Sequence, residues 1–144
     1  MSDQDMIALA ERIGDCEITT TAKNWFALHA AHEIAVARMT DPELLHVGHT
    51  LHKMLDNCLF AQVPSITERE PDDLLYTVTI PGEVLIPVTA SLAALASGIK
   101  AGKVIIAGED YLNAATVLTA VASFRTWLED SDPEAETLLA EFWL

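Results

Sequence analysis

Apolar residues recur along this chain with a helical period, then briefly with a strand-like one, then helically again. Over Asp3 to Ile13 they fall at Met6, Ile7, Leu9, Ala10 and Ile13, the spacing of one helix face, and Gly14 supplies a stop. Cys16 to Thr21 is short and β-branched, and fits either a strand or a connector. A second helix is expected from about Ala22 to Met39, with Trp25, Phe26, Leu28, Ile34 and Val36 as apolar surface. Thr40-Asp41-Pro42-Glu43 then reads as a helix start: a capping residue, proline at the first helical position, an acid in the first turn. The third helix runs to about Cys58, so residues 22–58 are expected to form an antiparallel helical hairpin.

Residues 61–73 (AQVPSITEREPDD) are linker-like, with two prolines and clustered charge. The period then changes. Leu74 to Ile80 is β-branched and aromatic, Pro81-Gly82 is a turn dipeptide, and Glu83 to Val88 is again β-like, with Pro87 confining that strand to an edge or its end. Thr89 is placed to cap a short helix over Ala90 to Ile99, and Val104 to Ala107 fits a third short strand. The longest helix is expected over Glu109 to Glu129, apolar nearly all the way round. Its remaining stripe (Asn113, Thr116, Thr119, Ser123, Thr126) is polar but uncharged, which suits a central helix or a contact with a second copy. Asp132-Pro133-Glu134 opens a last helix. The pattern predicts a single α+β domain, residues 1–144, predominantly α-helical, with a small antiparallel β-hairpin near residues 74–88 and a helical C-terminal half over 89–144. Its core is expected from Trp25, Phe26, Leu44, Leu51, Leu55, Leu75, Val78, Leu95, Leu118, Val121 and Trp127.

Composition adds a tension. The chain is 51% hydrophobic over 144 residues, enough to bury a core, yet its 22 acids against 8 bases give a formal charge of −14. So few bases exclude a phosphate-binding surface, and an anionic membrane surface is excluded on the same ground. The longest apolar stretch, Val84 to Gly108, is broken by Pro87, Gly98, Lys100, Gly102 and Lys103. An acidic N-terminus, Met1-Ser2-Asp3-Gln4-Asp5, is unlike a signal peptide, so a cytoplasmic location is expected, in a host cytoplasm if the chain is phage-encoded. Cys16 and Cys58 match no metal or redox spacing and are read as reduced.

All five histidines lie between residues 29 and 52. His29 and His32, with Glu33, fall on the second helix; His46, His49 and His52 follow at i+3 steps on the third. Facing one another, His29, His32, His46 and His49 are donors that a divalent transition metal accepts. Steps of three rotate by about 60° each, so His46 and His52 diverge by about 120° and do not serve one ion. No HExxH is present, and Glu43-Leu44-Leu45-His46 supplies only half of a paired Glu-x-x-His set. Gly98 to Lys103 is one residue short of a phosphate-binding loop, with Val104 where a magnesium-binding hydroxyl belongs. It reads instead as a helix end with Gly102 in the left-handed conformation.

The C-terminal segment is the most suggestive. From Glu109 onward eight acids face only Arg125, a net −7, half of the total. Acids in a row at phosphate-like spacing imitate nucleic acid. The expected function is therefore a non-enzymatic interaction protein, of the phage anti-defence or immunity inhibitor type, binding a basic nucleic-acid-binding or nuclease partner. Glu129, Asp130, Asp132, Glu134 and Glu136 would carry it, with Asp72 and Asp73 as a second patch. The alternative is a structural or assembly protein, associating as a homodimer or larger through Thr116, Thr119, Phe142 and Trp143. A third is a metal-binding helical protein using the histidines.

Overall fold

The computed structural model describes residues 3–37, 50, 52–59, 62, 75–104 and 114–143. Its elements are α1 (Asp3–Ile13), β1 (Asp15–Thr21), α2 (Ala22–Ala37), a helix α3 over residues 52–59, β2 (Leu75–Pro81), α4 (Gly82–Lys100), α5 (Ala114–Ser131) and α6 (Pro133–Leu139). A 3-10 turn (Ala140–Trp143) follows. The fold is α+β and predominantly helical, with a two-stranded antiparallel sheet.

The sheet does not come from a local hairpin. β2 pairs with β1, some sixty residues upstream, in a register running from Asp15↔Pro81 to Thr21↔Leu75. β1 alternates as a half-buried strand should, with Cys16, Ile18 and Thr20 inward and Asp15, Glu17 and Thr19 outward. The expected second hairpin strand over Glu83–Val88 is instead the first part of α4, and so is the expected Thr89 cap, which lies buried inside that helix. The physical reason is burial. Val84, Leu85, Ile86, Val88 and Leu92 all face the core, and a helix central to the fold can bury such a run while a two-stranded edge cannot. Pro87 lies early in α4, where it removes a single backbone hydrogen bond, and Ser91 Oγ donates to its carbonyl at 2.8 Å.

Local stops behave as the sequence implies. Gly14 ends α1 with φ 63° and donates to Ala10 O at 2.9 Å, and Gly102 follows α4 with φ 72°. Thr21 caps α2 through its Oγ1, which accepts from Asn24 N, and Asp132 caps α6 by accepting from Ala135 N. Helices α1, α2 and α5 pack on α4, and α5 also packs on α6 and β1.

Trp25 and Phe124 are fully enclosed at the centre, with Leu28, Leu55, Val78, Leu85, Leu92 and Leu128 around them. Of the expected core, Phe26, Leu118 and Trp127 are half-buried, and Leu44 and Leu51 lie outside the described residues. Leu75 is a correction: it is 62% exposed, because it ends the ladder opposite Thr21. By length and composition α4 could cross a membrane, but its apolar residues are used inside this fold.

Candidate functional site

Two regions hold sequence-predicted site residues. The first is the turn between α5 and α6. Glu129, Asp130 and Glu134 are exposed there. Two of the expected acids are already committed: Asp132 caps α6, and the partly buried Glu136 accepts from Arg125 Nε at 2.8 Å. Arg125 also lies 5.6 Å over the Trp143 ring. Glu136 of the expected binding set thus has its carboxylate engaged within the fold. Asp72 and Asp73 fall outside the described residues.

Of the residues expected to carry self-association, Thr116 and Thr119 are exposed on α5. They border a shallow cavity of about 380 Å³ with Asn24 and Trp127. Phe142 and Trp143 pack half-buried against the core, leaving only their outer edges.

The second region joins α2 and α3. Contacts run His29 to Asp56 and His32 to His52, so rising numbers on one helix meet falling numbers on the other and the pair is antiparallel. His29 Nε2 lies against Asp56 Oδ1, and His52 Nε2 is 3.6 Å from Asp56 Oδ2. The His52 ring lies 5.1 Å from that of His29 and 5.2 Å from that of His32, nearly parallel to the latter at 18°. His32 is buried, and its Nδ1 is 3.0 Å from His52 Nδ1. Burial pushes its titration down to about 4, and the neighbouring imidazoles of His52 and His29 add to the shift. It is therefore a neutral ring at physiological pH. His29, His52 and Asp56 each offer a donor atom, all within 4.8 Å of one another.

The expected metal set is thus divided. His29 and His32 are brought into one cluster, His46 and His49 lie outside the described residues, and the groups that join the cluster are His52 and Asp56. Asp56 was not singled out by sequence. The available signal was His52-x-x-x-Asp56, an i,i+4 pair on one helix face.

The cysteines are free and carry no such geometry. Cys16 is enclosed, and burial, reinforced by the Asp132 carboxylate, pushes its thiol up to about 12. Cys58 Sγ donates to Thr79 O at 3.0 Å, and Gln62 bonds both the N–H and the carbonyl of Thr79 on β2. In iodoacetamide labelling at pH 8 read by mass spectrometry, Cys16 is expected to react only as fast as the whole chain unfolds, and Cys58 sooner. Native labelling of Cys16 at the rate of a free thiol would contradict its enclosure.

Comparison of the chain with protein-family models, with curated proteins and with solved structures finds no match.

Proposed function

We propose that this is a non-enzymatic interaction protein whose acidic surface engages a basic partner. Its most concrete form is an inhibitor, of phage anti-defence or immunity type, occupying the nucleic-acid groove of a basic nucleic-acid-binding or nuclease protein. The observation that supports it is where two of the acids sit. Glu129 and Asp130 occupy the last turn of α5, which contains no base. A helix C-terminus carries partial negative charge and favours cations, so acids there oppose the fold's own electrostatics by roughly 0.3–1 kcal/mol each at low salt. Glu134, by contrast, lies in the first turn of α6, where an acid is stabilising. Helix stability accounts for Glu134 and not for Glu129 and Asp130, and together the three present an exposed anionic edge.

This separates partner binding from stability. Glu129→Lys with Asp130→Lys is expected to raise the midpoint of thermal unfolding while slowing association with a basic partner by on the order of tenfold at low salt. Calorimetry and surface-based kinetics measure the two effects. A more stable variant that still associates at the wild-type rate would remove the charged-edge mechanism.

Self-assembly is the second reading, favoured by the exposed and uncharged Thr116–Thr119 face of α5. It requires a mass that rises with concentration in sedimentation equilibrium, and a Thr119→Arg variant that stays monomeric.

A further inference from the structure

We infer that α2 and α3 form a binding site for one divalent transition-metal ion of the zinc class, held by imidazole nitrogens of His29 and His52 and a carboxylate oxygen of Asp56. The inference is independent of the acidic-edge reading. Donor atoms around a four-coordinate zinc at about 2.0–2.1 Å stand about 3.3 Å from one another. The three donors here lie within 4.8 Å of one another, and side-chain rotations that open the His29–Asp56 contact and draw in His52 would set them around an ion. The three side chains are partly exposed, at 18%, 16% and 28%, while His29 Nε2 and Asp56 Oδ1 themselves are enclosed, so an ion enters as these side chains rotate.

The plain alternative is an ion pair between Asp56 and a protonated histidine. An ion pair of that kind directs an N–H along the oxygen's lone pair. Asp56 Oδ1 lies against His29 Nε2, is sealed from water, and accepts no hydrogen bond of proper geometry. Two imidazoles facing one carboxylate across a common space is the arrangement a shared cation stabilises.

His32 completes the argument as a positioning residue rather than a ligand. Its Nδ1 meets His52 Nδ1 at 3.0 Å, a contact that requires one ring to donate and the other to accept. With His52 Nδ1–H donating, His52 Nε2 keeps its lone pair on the side of Asp56, where the ion sits. The neighbour that fixes tautomer and ring orientation is a regular feature of metal-bound histidine. The donor chemistry sets the class of ion. Two nitrogens and one carboxylate suit zinc, cobalt, nickel or iron(II) over magnesium or calcium, which take oxygen. Three protein ligands leave at least one coordination position open, so the ion is exchangeable or able to take a further ligand.

The test uses untagged, full-length protein stripped with a chelator and titrated with cobalt(II), then zinc. One cobalt per chain with visible d–d absorption, displaced by zinc, is expected. His52→Ala and Asp56→Asn should abolish this site, and His32→Ala should weaken it by about 10–100-fold. Glu33→Gln, an exposed acid on the same helix, should leave it unchanged. X-ray absorption of the zinc-loaded wild-type protein is expected to show two imidazoles in the first shell. That measurement decides the matter even if a variant loses its far-UV circular dichroism. An oxygen-only shell, stoichiometric binding that survives His52→Ala and Asp56→Asn, or no uptake of cobalt or zinc by the stripped wild-type protein would each overturn the site.

Discussion

Trp25→Ala is expected to lower the unfolding free energy by roughly 4–5 kcal/mol, a large part of the 5–15 kcal/mol that holds a typical domain folded. Three losses combine. Trp25 is enclosed on all sides and is the largest fully buried side chain among the described residues, so its removal leaves a large cavity. Its Nε1–H donates to Tyr76 O at 3.2 Å, and so ties α2 to β2. Its ring also packs, tilted by 59°, on Trp127 of α5 with centroids 6.4 Å apart. One side chain therefore joins a helix, the sheet and the longest C-terminal helix. Trp25→Phe keeps most of the volume and is expected to cost about half as much. Urea unfolding followed by far-UV circular dichroism measures both. A loss below about 1.5 kcal/mol for the alanine variant would mean that the α2–β2–α5 junction is not the centre of the fold.

Gly82→Ala is expected to cost about 2–3 kcal/mol, although alanine is the better helix former by about 1 kcal/mol. Gly82 is the first residue of α4 and donates to Gly14 O at 2.7 Å, locking the start of that helix against the end of α1. A Cβ there would stand 2.6 Å from Ala10 O and 3.1 Å from Ala10 Cα, both backbone atoms that move only if α1 moves. Gly14→Ala provides the contrast. Nothing lies within 4 Å of its added Cβ, so its cost is conformational alone, about 1–2 kcal/mol for an alanine at φ 63°. Chemical denaturation should rank Gly82→Ala as the more damaging of the two. A stabilised Gly82→Ala would show that α1 and α4 do not approach as closely as described.

Signals confined to a few neighbouring residues were legible in the sequence. Helix α1, its stop at Gly14, the left-handed Gly102 and the Asp132-Pro133 start of α6 each depend on a short stretch of chain, and each is found in place, although Ile7 of the expected α1 face is exposed. Strand pairing is a long-range choice. Pro81-Gly82 reads as a turn because its local conformation fits one. Yet β2 takes its partner from Asp15–Thr21, and Gly82 is required to be glycine by α1, which no local period reveals. The same limit governs the sites. The histidines stood out by number, but Asp56 gains meaning only when the antiparallel register of α2 and α3 sets it beside His29. Total charge was equally plain. Which acids remain available depended on contacts, with Glu136 held by Arg125 and Asp132 by Ala135, while Glu129 and Asp130 stay open.

The most direct test of the acidic-edge function is a capture experiment from cell lysate. Wild-type protein and the Glu129→Lys, Asp130→Lys variant are immobilised side by side, washed at low and high salt, and bound proteins identified by mass spectrometry. The expected result is a basic nucleic-acid-binding protein held by the wild type at low salt, released at high salt, and missing from the variant. Equal retention by both proteins, or recovery only of further copies of this chain at both salts, would contradict the account and move the function to self-assembly.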